Sequence, residues 1–232
     1  MSEYTFVVEK KCPICGKMTR VSKTKARLIT LSTDEDMCVH YKDFNPYYYK
    51  VWFCEHCGFA AEEKVFVGNM PAKHREKIAE FLSRRKMALE FVEERGKAEA
   101  VASFKLGIFY AEMLEASFNR RAGLYLMLAW IFRDAGEREN EMEMLGRAAE
   151  LYDRSLTTEE YPQNGMSEGL CMFLIGAIYY RKGDIEKSTQ YLSRIIGDQS
   201  LRTSDSKLYD RARNLWEDVR AAKKESAEEE SS

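Results

Sequence analysis

The pattern of hydrophobic and polar positions changes near residue 70. Before that point, short apolar runs alternate with polar positions, as at residues 4–10 and 46–53, and β-branched and aromatic residues are frequent. This pattern is typical of β-strands. From Pro71 onward, apolar residues recur every three to four positions, which is the period of a helix with one buried face. The sequence therefore predicts a β-rich segment followed by a helical segment.

The predicted fold class is α+β. A small β domain is expected at 1–70, an all-α helical stack at 71–222, and an acidic, small-residue tail at 223–232 that we expect to be disordered. After the strand at 4–10, a hairpin of residues 18–21 and 27–31 is expected, with a further strand at 59–67. One helix should run from Pro71 to the glycine at position 96, and the others are expected at about 97–117, 121–135, 137–153, 167–182, 184–196 and 205–222.

Two stretches of the helical half each resemble one tetratricopeptide repeat. They run from Leu128 to Ala148 and from Ile175 to Ile195, and each has a small residue in the first helix and a Gly-Asp or Gly-Glu turn. Ala129 and Gly176 lie 47 positions apart, against a repeat period of 34, and a loop around Pro162 accounts for the excess. Since the first copy is degenerate, a plain helical bundle stays the alternative.

Two Cys-x-x-Cys-Gly hooks carry the clearest chemistry of the chain. They begin at Cys12 and Cys54, and each is a tight turn that directs two thiolates to one point. Four soft thiolates in a tetrahedron suit Zn²⁺ best, so we predict a structural zinc ribbon; rubredoxin-like iron binding and a redox dithiol are the alternatives. The predicted metal ligands are Cys12, Cys15, Cys54 and Cys57.

In the sequence, one further cysteine and two histidines lie between or within the hooks. Cys38 and His40 fall within the 38 residues that separate Cys15 from Cys54. Cys38 either replaces one of the four ligands or packs beside them as a small apolar residue, and we favour packing. His56 occupies an inner position of the second hook, so it should point away from the metal. The many aromatic residues at 41–59 are expected to form the core of this small domain rather than a base-stacking platform.

The composition is that of an ordinary globular protein. The chain has 232 residues, 45% of them hydrophobic and 32% charged, with a net charge of −2. No segment has the length and hydrophobicity of a signal peptide or a membrane span, and six cysteines with paired spacing indicate metal binding in a reducing compartment. We therefore expect a cytoplasmic protein.

The order of these motifs resembles a known bacterial family. After the first hook come Asn45-Pro46-x-x-Tyr49, then Val51-Trp52-Phe53 before the second hook, and Leu-Ala-Trp-Ile-Phe-Arg at 128–133. Together they resemble the family called domain of unknown function 2225, over residues 8 to about 220. The resemblance implies a zinc ribbon followed by helical repeats in a bacterial cytosol, and it implies no activity.

No catalytic motif of a common enzyme class occurs. His74-Arg75-Glu76 has the H-x-E pattern of zinc deaminases, but both hooks precede it, and there is no Walker loop or G-x-S-x-G motif. We therefore expect no enzymatic activity, no small-molecule substrate and no membrane association. A protein-interaction adaptor is the favoured function, with the helical stack as the partner-binding part. Tyr125 and Arg133 are candidate exposed anchors, although for each of them a packing or solvent role is the favoured interpretation.

Nucleic-acid binding through the ribbon is the alternative. Seven Lys and Arg residues lie between positions 10 and 27 with no acidic residue among them. They are Lys10, Lys11, Lys17, Arg20, Lys23, Lys25 and Arg27. Such a strip can follow a phosphate backbone. Over residues 1–75, however, the net charge is only +3, and a four-thiolate zinc site reduces it further.

Overall fold

A computed structural model describes residues 3–84 and 90–229, with side chains as far as residue 225. Its strands pair as three separate two-stranded sheets, β1 with β2, β3 with β4 and β5 with β6. The strands are β1 (Thr5–Lys11), β2 (Met18–Thr24), β3 (Thr30–Thr33), β4 (Val39–Tyr41), β5 (Val51–Phe53) and β6 (Ala60–Glu62).

The remaining described elements are helical, which confirms the predicted α+β class. A 3₁₀ helix covers Pro46–Tyr49, and the α-helices follow the last strand. They are α1 (Glu63–Phe66), α2 (Ala72–Ser83), α3 (Lys97–Met113), α4 (Phe118–Asp134), α5 (Arg138–Thr158), α6 (Glu168–Arg181), α7 (Ile185–Gly197), α8 (Gln199–Ser204) and α9 (Ser206–Glu229).

The first hairpin differs from the predicted one. β2 pairs antiparallel with β1, from Thr5 opposite Thr24 to Lys11 opposite Met18, so the expected pairing of 18–21 with 27–31 is wrong. The first hook is itself the connection between these strands. Because it reverses the chain within a few residues, β2 returns directly onto β1.

The segment at 46–53 is a strand only over its last three residues. Pro46 stands at the first position of the 3₁₀ helix, and the Asn45 side chain accepts a hydrogen bond from the Tyr47 amide at 3.0 Å. Proline at the start and asparagine at the cap both favour a helical turn. This local capping overrides the strand preference of the aromatic residues.

The helices also differ from the predicted ones at three places. α2 ends at Ser83, residues 90–96 are not helical, and Leu89 of the predicted long helix lies outside the described residues. α8 was not predicted; Asp198 caps it by accepting the Ser200 amide at 2.8 Å. α9 continues past the predicted end at 222 to Glu229, and residues 230–232 lie outside the described part.

The chain divides into two compact units, whereas the predicted boundary at residue 70 stays a prediction. Unit 1 comprises 1–32, 40–116 and 127–141. Within it, α3 packs against β5 and β6. A Cβ at Gly107 would lie 3.0 Å from Val51 Cγ1, and the rings of Phe59 and Tyr110 lie 5.3 Å apart. The strands around the second hook are therefore buried by a helix of the same unit.

Unit 2 comprises 33–39, 117–126 and 142–232, and it has a core of its own. α7 packs against α6 and α9, and the apolar faces of these helices meet. The buried residues of this core are Met172, Phe173, Ala177, Leu192, Ile195, Leu208, Ala212, Leu215 and Val219.

α6 and α7 lie close together at Gly176. The Ser188 hydroxyl donates a hydrogen bond to the Gly176 carbonyl at 2.8 Å, and a Cβ at Gly176 would lie 2.9 Å from Leu192 Cγ. Gly183 has a φ of +79° in the turn, and Asp184 caps α7 by accepting the Lys187 amide at 3.0 Å. This is the local geometry that a repeat-like helix pair requires, and the type of repeat stays a prediction.

We expect Gly176→Ala to destabilise the protein. The added methyl group overpacks a fully buried contact with Leu192, so the free energy of unfolding should fall by about 1–3 kcal/mol. The matched control is Gly197→Ala, at the exposed end of α7, where a Cβ meets no atom within 4 Å. Urea unfolding followed by circular dichroism measures both, and an equal effect of the two changes would contradict the close approach.

Candidate metal centre

The first hook is a tight turn closed by backbone hydrogen bonds. The Cys12 amide donates to the Lys17 carbonyl at 2.9 Å, and the Gly16 amide donates to the Cys12 carbonyl at 3.0 Å. Gly16 has a φ of +72°, which is a conformation that side-chain-bearing residues rarely adopt. The glycine after the second cysteine is thus required by the turn.

The second hook repeats this geometry. The Cys54 amide donates to the Phe59 carbonyl at 2.8 Å, the Gly58 amide donates to the Cys54 carbonyl at 2.8 Å, and Gly58 has a φ of +79°. Each hook lies between the strands of one hairpin, β1–β2 for the first and β5–β6 for the second. Two equivalent turns therefore present two pairs of thiols.

The four sulfur atoms converge on one point. The distance between the Cys12 and Cys57 sulfurs is 3.7 Å, as is the distance between those of Cys15 and Cys54, and all four lie within 4.8 Å of one another. In a tetrahedron of thiolates with a Zn–S bond of about 2.3 Å, neighbouring sulfurs are about 3.8 Å apart. The cluster has the dimensions of a tetrahedral metal site and can hold a metal ion such as zinc.

The thiols of the cluster influence one another strongly. The pKa of Cys54 is lowered, chiefly because the Cys12 thiol donates a hydrogen bond to its sulfur, while contact with Cys12 and burial raise the pKa of Cys57. The Cys54 interaction is also the main cause that raises the pKa of Cys12 to about 12. The ionisation of Cys54 therefore makes the ionisation of Cys12 and Cys57 less favourable. A metal cation removes this competition, since it binds all the sulfurs as thiolates.

Backbone amides face the sulfurs, as expected from the motif. The Ile14 amide lies 3.4 Å from the Cys12 sulfur as a donor, and the amides of His56 and Cys57 contribute to lowering the pKa of Cys54. Such donors stabilise negative charge on sulfur. The two turns therefore favour thiolates before any cation is considered.

Contacts from β2 hold the second hook beside the first. Thr19 Oγ1 accepts the Glu55 amide at 3.2 Å, and Arg20 Nη2 lies 2.8 Å from Glu55 Oε2 in an ion pair. The hydrogen bond from Arg20 lowers the pKa of the Glu55 carboxyl. These contacts are not predicted by the sequence pattern. Nothing in the local sequence signals an ion pair between residues 35 positions apart.

Cys38 and His56 are not part of the four-cysteine cluster. Cys38 is buried and does not belong to the four-cysteine cluster; its sulfur lies within 4.8 Å of ligand atoms of Asp34 and His40 in the same short segment. His56 Nε2 donates to the Met18 carbonyl at 2.8 Å, so the ring faces away from the sulfurs, as predicted. The role of Cys38 in metal binding stays a prediction.

Most of the aromatic residues near the second hook form the core. Tyr47, Tyr49, Trp52, Phe53 and Phe59 are all buried, which favours the packing interpretation over base stacking. The Trp52 ring packs against Phe66 with a centroid distance of 5.9 Å. The ribbon therefore uses aromatic side chains as its hydrophobic core.

The comparison with known families adds one decisive observation. Residues 6–219 match a family model, DUF2225, described as an uncharacterized protein conserved in bacteria. The chain belongs to this family. The match includes both hooks and most of the helical part, and it confirms the resemblance drawn from the motifs. No curated protein and no solved structure matches the chain.

In the described part of this DUF2225 member, no helix combines the length and the hydrophobicity that crossing a bilayer requires. The family description names no activity, so function has to be argued from the geometry above.

We expect one bound metal ion per chain, held by the four hook cysteines. Cys57→Ser should lose it, because the shell then has three thiolates and a hydroxyl that is not ionised at neutral pH. Cys38→Ser is the matched control and should retain it. Elemental analysis of protein purified without added metal measures both. Loss of metal from Cys38→Ser alone would place Cys38 among the ligands.

Removal of the metal should loosen unit 1 and leave the core of unit 2 folded. Trp52 is 2% exposed beside the second hook, so a strong chelator should shift its fluorescence to longer wavelength. Replacing Trp130 and Trp216 with Phe isolates that signal. Part of the far-ultraviolet helix signal should persist. Complete loss of helix would show that the two units unfold together.

Proposed function

We propose that this protein is a protein-interaction adaptor whose N-terminal ribbon is organised by a structural zinc ion. The observation that carries the proposal is the distribution of exposed apolar side chains. Most of those in the described part of the chain lie on β1, on β2 and at residues 29–31.

The donor set supports zinc as the metal. Four thiolates form a closed shell, and zinc accepts a tetrahedron without an electronic preference for another geometry. A closed shell has no position for a substrate, so the centre supports structure and not catalysis. Iron with the same ligands is the alternative, and elemental analysis together with the visible absorption of ferric thiolate separates the two.

Exposed apolar side chains are concentrated in the ribbon. Among the described residues, five of the large hydrophobic side chains that are exposed fall between positions 6 and 31. Ile29 is 63% exposed and Leu31 is 64% exposed. Exposed apolar groups on a rigid support are typical of protein docking surfaces. The five are Phe6, Val7, Met18, Ile29 and Leu31.

The helical stack offers weaker support for partner binding than the sequence suggests. The Arg133 side chain is only 7% exposed, and its Nε lies 2.7 Å from Glu141 Oε1, so Arg133 is a packing residue and not an exposed anchor. Glu141 is buried with it, at 4% side-chain exposure. Tyr125 is half-buried. We therefore place the main docking surface on the ribbon.

Two ion pairs weaken the nucleic-acid alternative. Of the seven cations between positions 10 and 27, Arg20 pairs with Glu55 and Lys23 pairs with Glu63, each at 2.8 Å. These charges are partly neutralised by the protein itself. The remaining field is too small to favour a phosphate backbone over a protein partner.

A pulldown with the full-length protein tests the adaptor function. The double change Ile29→Asp and Leu31→Asp should reduce recovery of a stoichiometric partner at least tenfold, because it charges the apolar surface without touching the core. The matched control is Thr30→Asp, which adds a carboxylate at an exposed position of the same strand. Equal recovery with the double variant and the control would contradict docking at these residues.

A salt titration with nucleic acid tests the alternative. Steep salt dependence of nucleic-acid binding, together with its loss when Lys10 and Lys11 are changed to Ser, would favour the basic strip as the functional surface. We expect weak binding that differs little between these variants.

A further inference from the structure

A group of metal-ligating side chains lies outside the four-cysteine cluster, in the hairpin of β3 and β4. One ligand atom from each of Asp34, Cys38 and His40 lies within 4.8 Å of those of the other two. All three residues fall within positions 34–40, so the local backbone of one hairpin sets their relative positions. The group combines a carboxylate, a thiol and an imidazole, which are the side-chain donors that zinc binds in proteins.

The backbone of the hairpin explains why these three donors meet. The Asp34 amide donates a hydrogen bond to the Cys38 carbonyl at 2.8 Å, so the two residues lie opposite each other on the two arms of the hairpin. Cys38 immediately precedes β4, and His40 lies within it. Side chains two positions apart along a strand share one face. The pairing and the spacing therefore place all three donors together.

The loop between the two strands is held by contacts of its own. The Asp36 carboxylate accepts a hydrogen bond from the Cys38 amide at 3.4 Å, and Asp36 is only 1% exposed. Met37 has a φ of +68°, and its side chain packs against the core of unit 2. Ligands that packing and hydrogen bonds already position lose little conformational entropy when an ion binds. The loop is therefore suited to hold its donors in place.

The separations between the donors suit one tetrahedral ion. With zinc–donor bonds of about 2.0–2.3 Å, the edges between sulfur, nitrogen and oxygen donors are about 3.4–3.6 Å long. The observed separations, at most 4.8 Å, exceed these edges by no more than roughly 1.4 Å. Rotations of three side chains cover this difference without a change in the backbone. The three donors can thus close around a single ion.

A nucleophilic cysteine is the other use of these three side-chain types. In cysteine hydrolases, a thiolate attacks the substrate while an imidazole and a carboxylate or amide assist it. Cys38 is only 3% exposed, which is unsuited to attack on a substrate from solvent. Asp34 and His40 are half-buried, so the group as a whole is not sealed from solvent. Access of a small ion fits this burial better than access of a substrate.

We propose that Asp34, Cys38 and His40 form a further metal site, which binds one zinc-like divalent ion reversibly. Sulfur, nitrogen and oxygen donors together favour a borderline ion such as Zn²⁺ or Co²⁺ over Mg²⁺ or Ca²⁺. Three protein ligands leave a fourth position for water or a ligand from outside, unlike the closed shell of four thiolates. With one thiolate in place of four, this site holds its ion less tightly and fills only when metal is added. The site is independent of the adaptor function.

Cobalt(II) tests the proposal on the unaltered full-length protein, with zinc in the four-cysteine cluster. Equilibrium dialysis should show one equivalent of bound cobalt in addition to the zinc. A thiolate-to-cobalt charge-transfer absorption should appear in the same titration, because Cys38 supplies a sulfur ligand. The zinc content should stay constant by elemental analysis, since zinc binds such donors more tightly than cobalt.

Variants assign the cobalt to its ligands. His40→Ala and Asp34→Asn should each weaken cobalt binding at least about tenfold, because each removes one donor. The matched control is Glu35→Gln, which removes an exposed carboxylate from the same loop and should change the affinity less than about threefold. Cys38→Ser should remove the charge-transfer absorption and leave the zinc of the four-cysteine cluster in place. Circular dichroism verifies the fold of each variant, and the titration of the unaltered protein does not depend on them.

Three outcomes would overturn the proposal. The first is that the unaltered protein binds no additional cobalt at about 1 mM. The second is a charge-transfer absorption that grows only as an equal amount of zinc is released, which would place the cobalt in the four-cysteine cluster. The third is an equal loss of affinity in Glu35→Gln and His40→Ala, which would show that general negative charge, and not a defined set of ligands, attracts the ion.

Discussion

Two glycine-ended turns bring four sulfur atoms to the edge length of a tetrahedron, and the N-terminal hairpins are built from those turns. Gly16 and Gly58 take a backbone conformation that places amides toward sulfur and returns each chain onto its partner strand. β1–β2 and β5–β6 therefore depend on the hooks for their register. Since α3 packs on β5 and β6, the same constraint extends into the helical part of unit 1.

The charges of unit 1 show how burial decides what a side chain can do. The Arg20–Glu55 pair is at the surface, where it links β2 to the second hook. It also neutralises one of the seven basic residues between positions 10 and 27. The Arg133–Glu141 pair is almost fully buried and links the end of α4 to the start of α5. Arg95 is equally buried, yet carbonyl oxygens and ring faces are its acceptors.

The function that we propose for this DUF2225 member rests on what the ribbon exposes rather than on the four-cysteine cluster. A closed thiolate shell fixes geometry and leaves no coordination position for chemistry. Ile29 and Leu31 are exposed, and in the proposed adaptor a rigid ribbon would lose little entropy when these side chains dock against a partner. The core of unit 2 is self-contained.

The sequence by itself determined the order of elements, the four convergent cysteines and the close helix contact at Gly176, because each depends on spacing within a short segment. It did not determine that β2 returns to β1, that residues 46–49 form a 3₁₀ helix, or that Arg133 is buried against Glu141. Nor did it reveal Arg95, whose neighbours Tyr48 and Val51 lie more than 40 positions away. Partners so distant in sequence are chosen by packing, and only the tertiary structure brings them together.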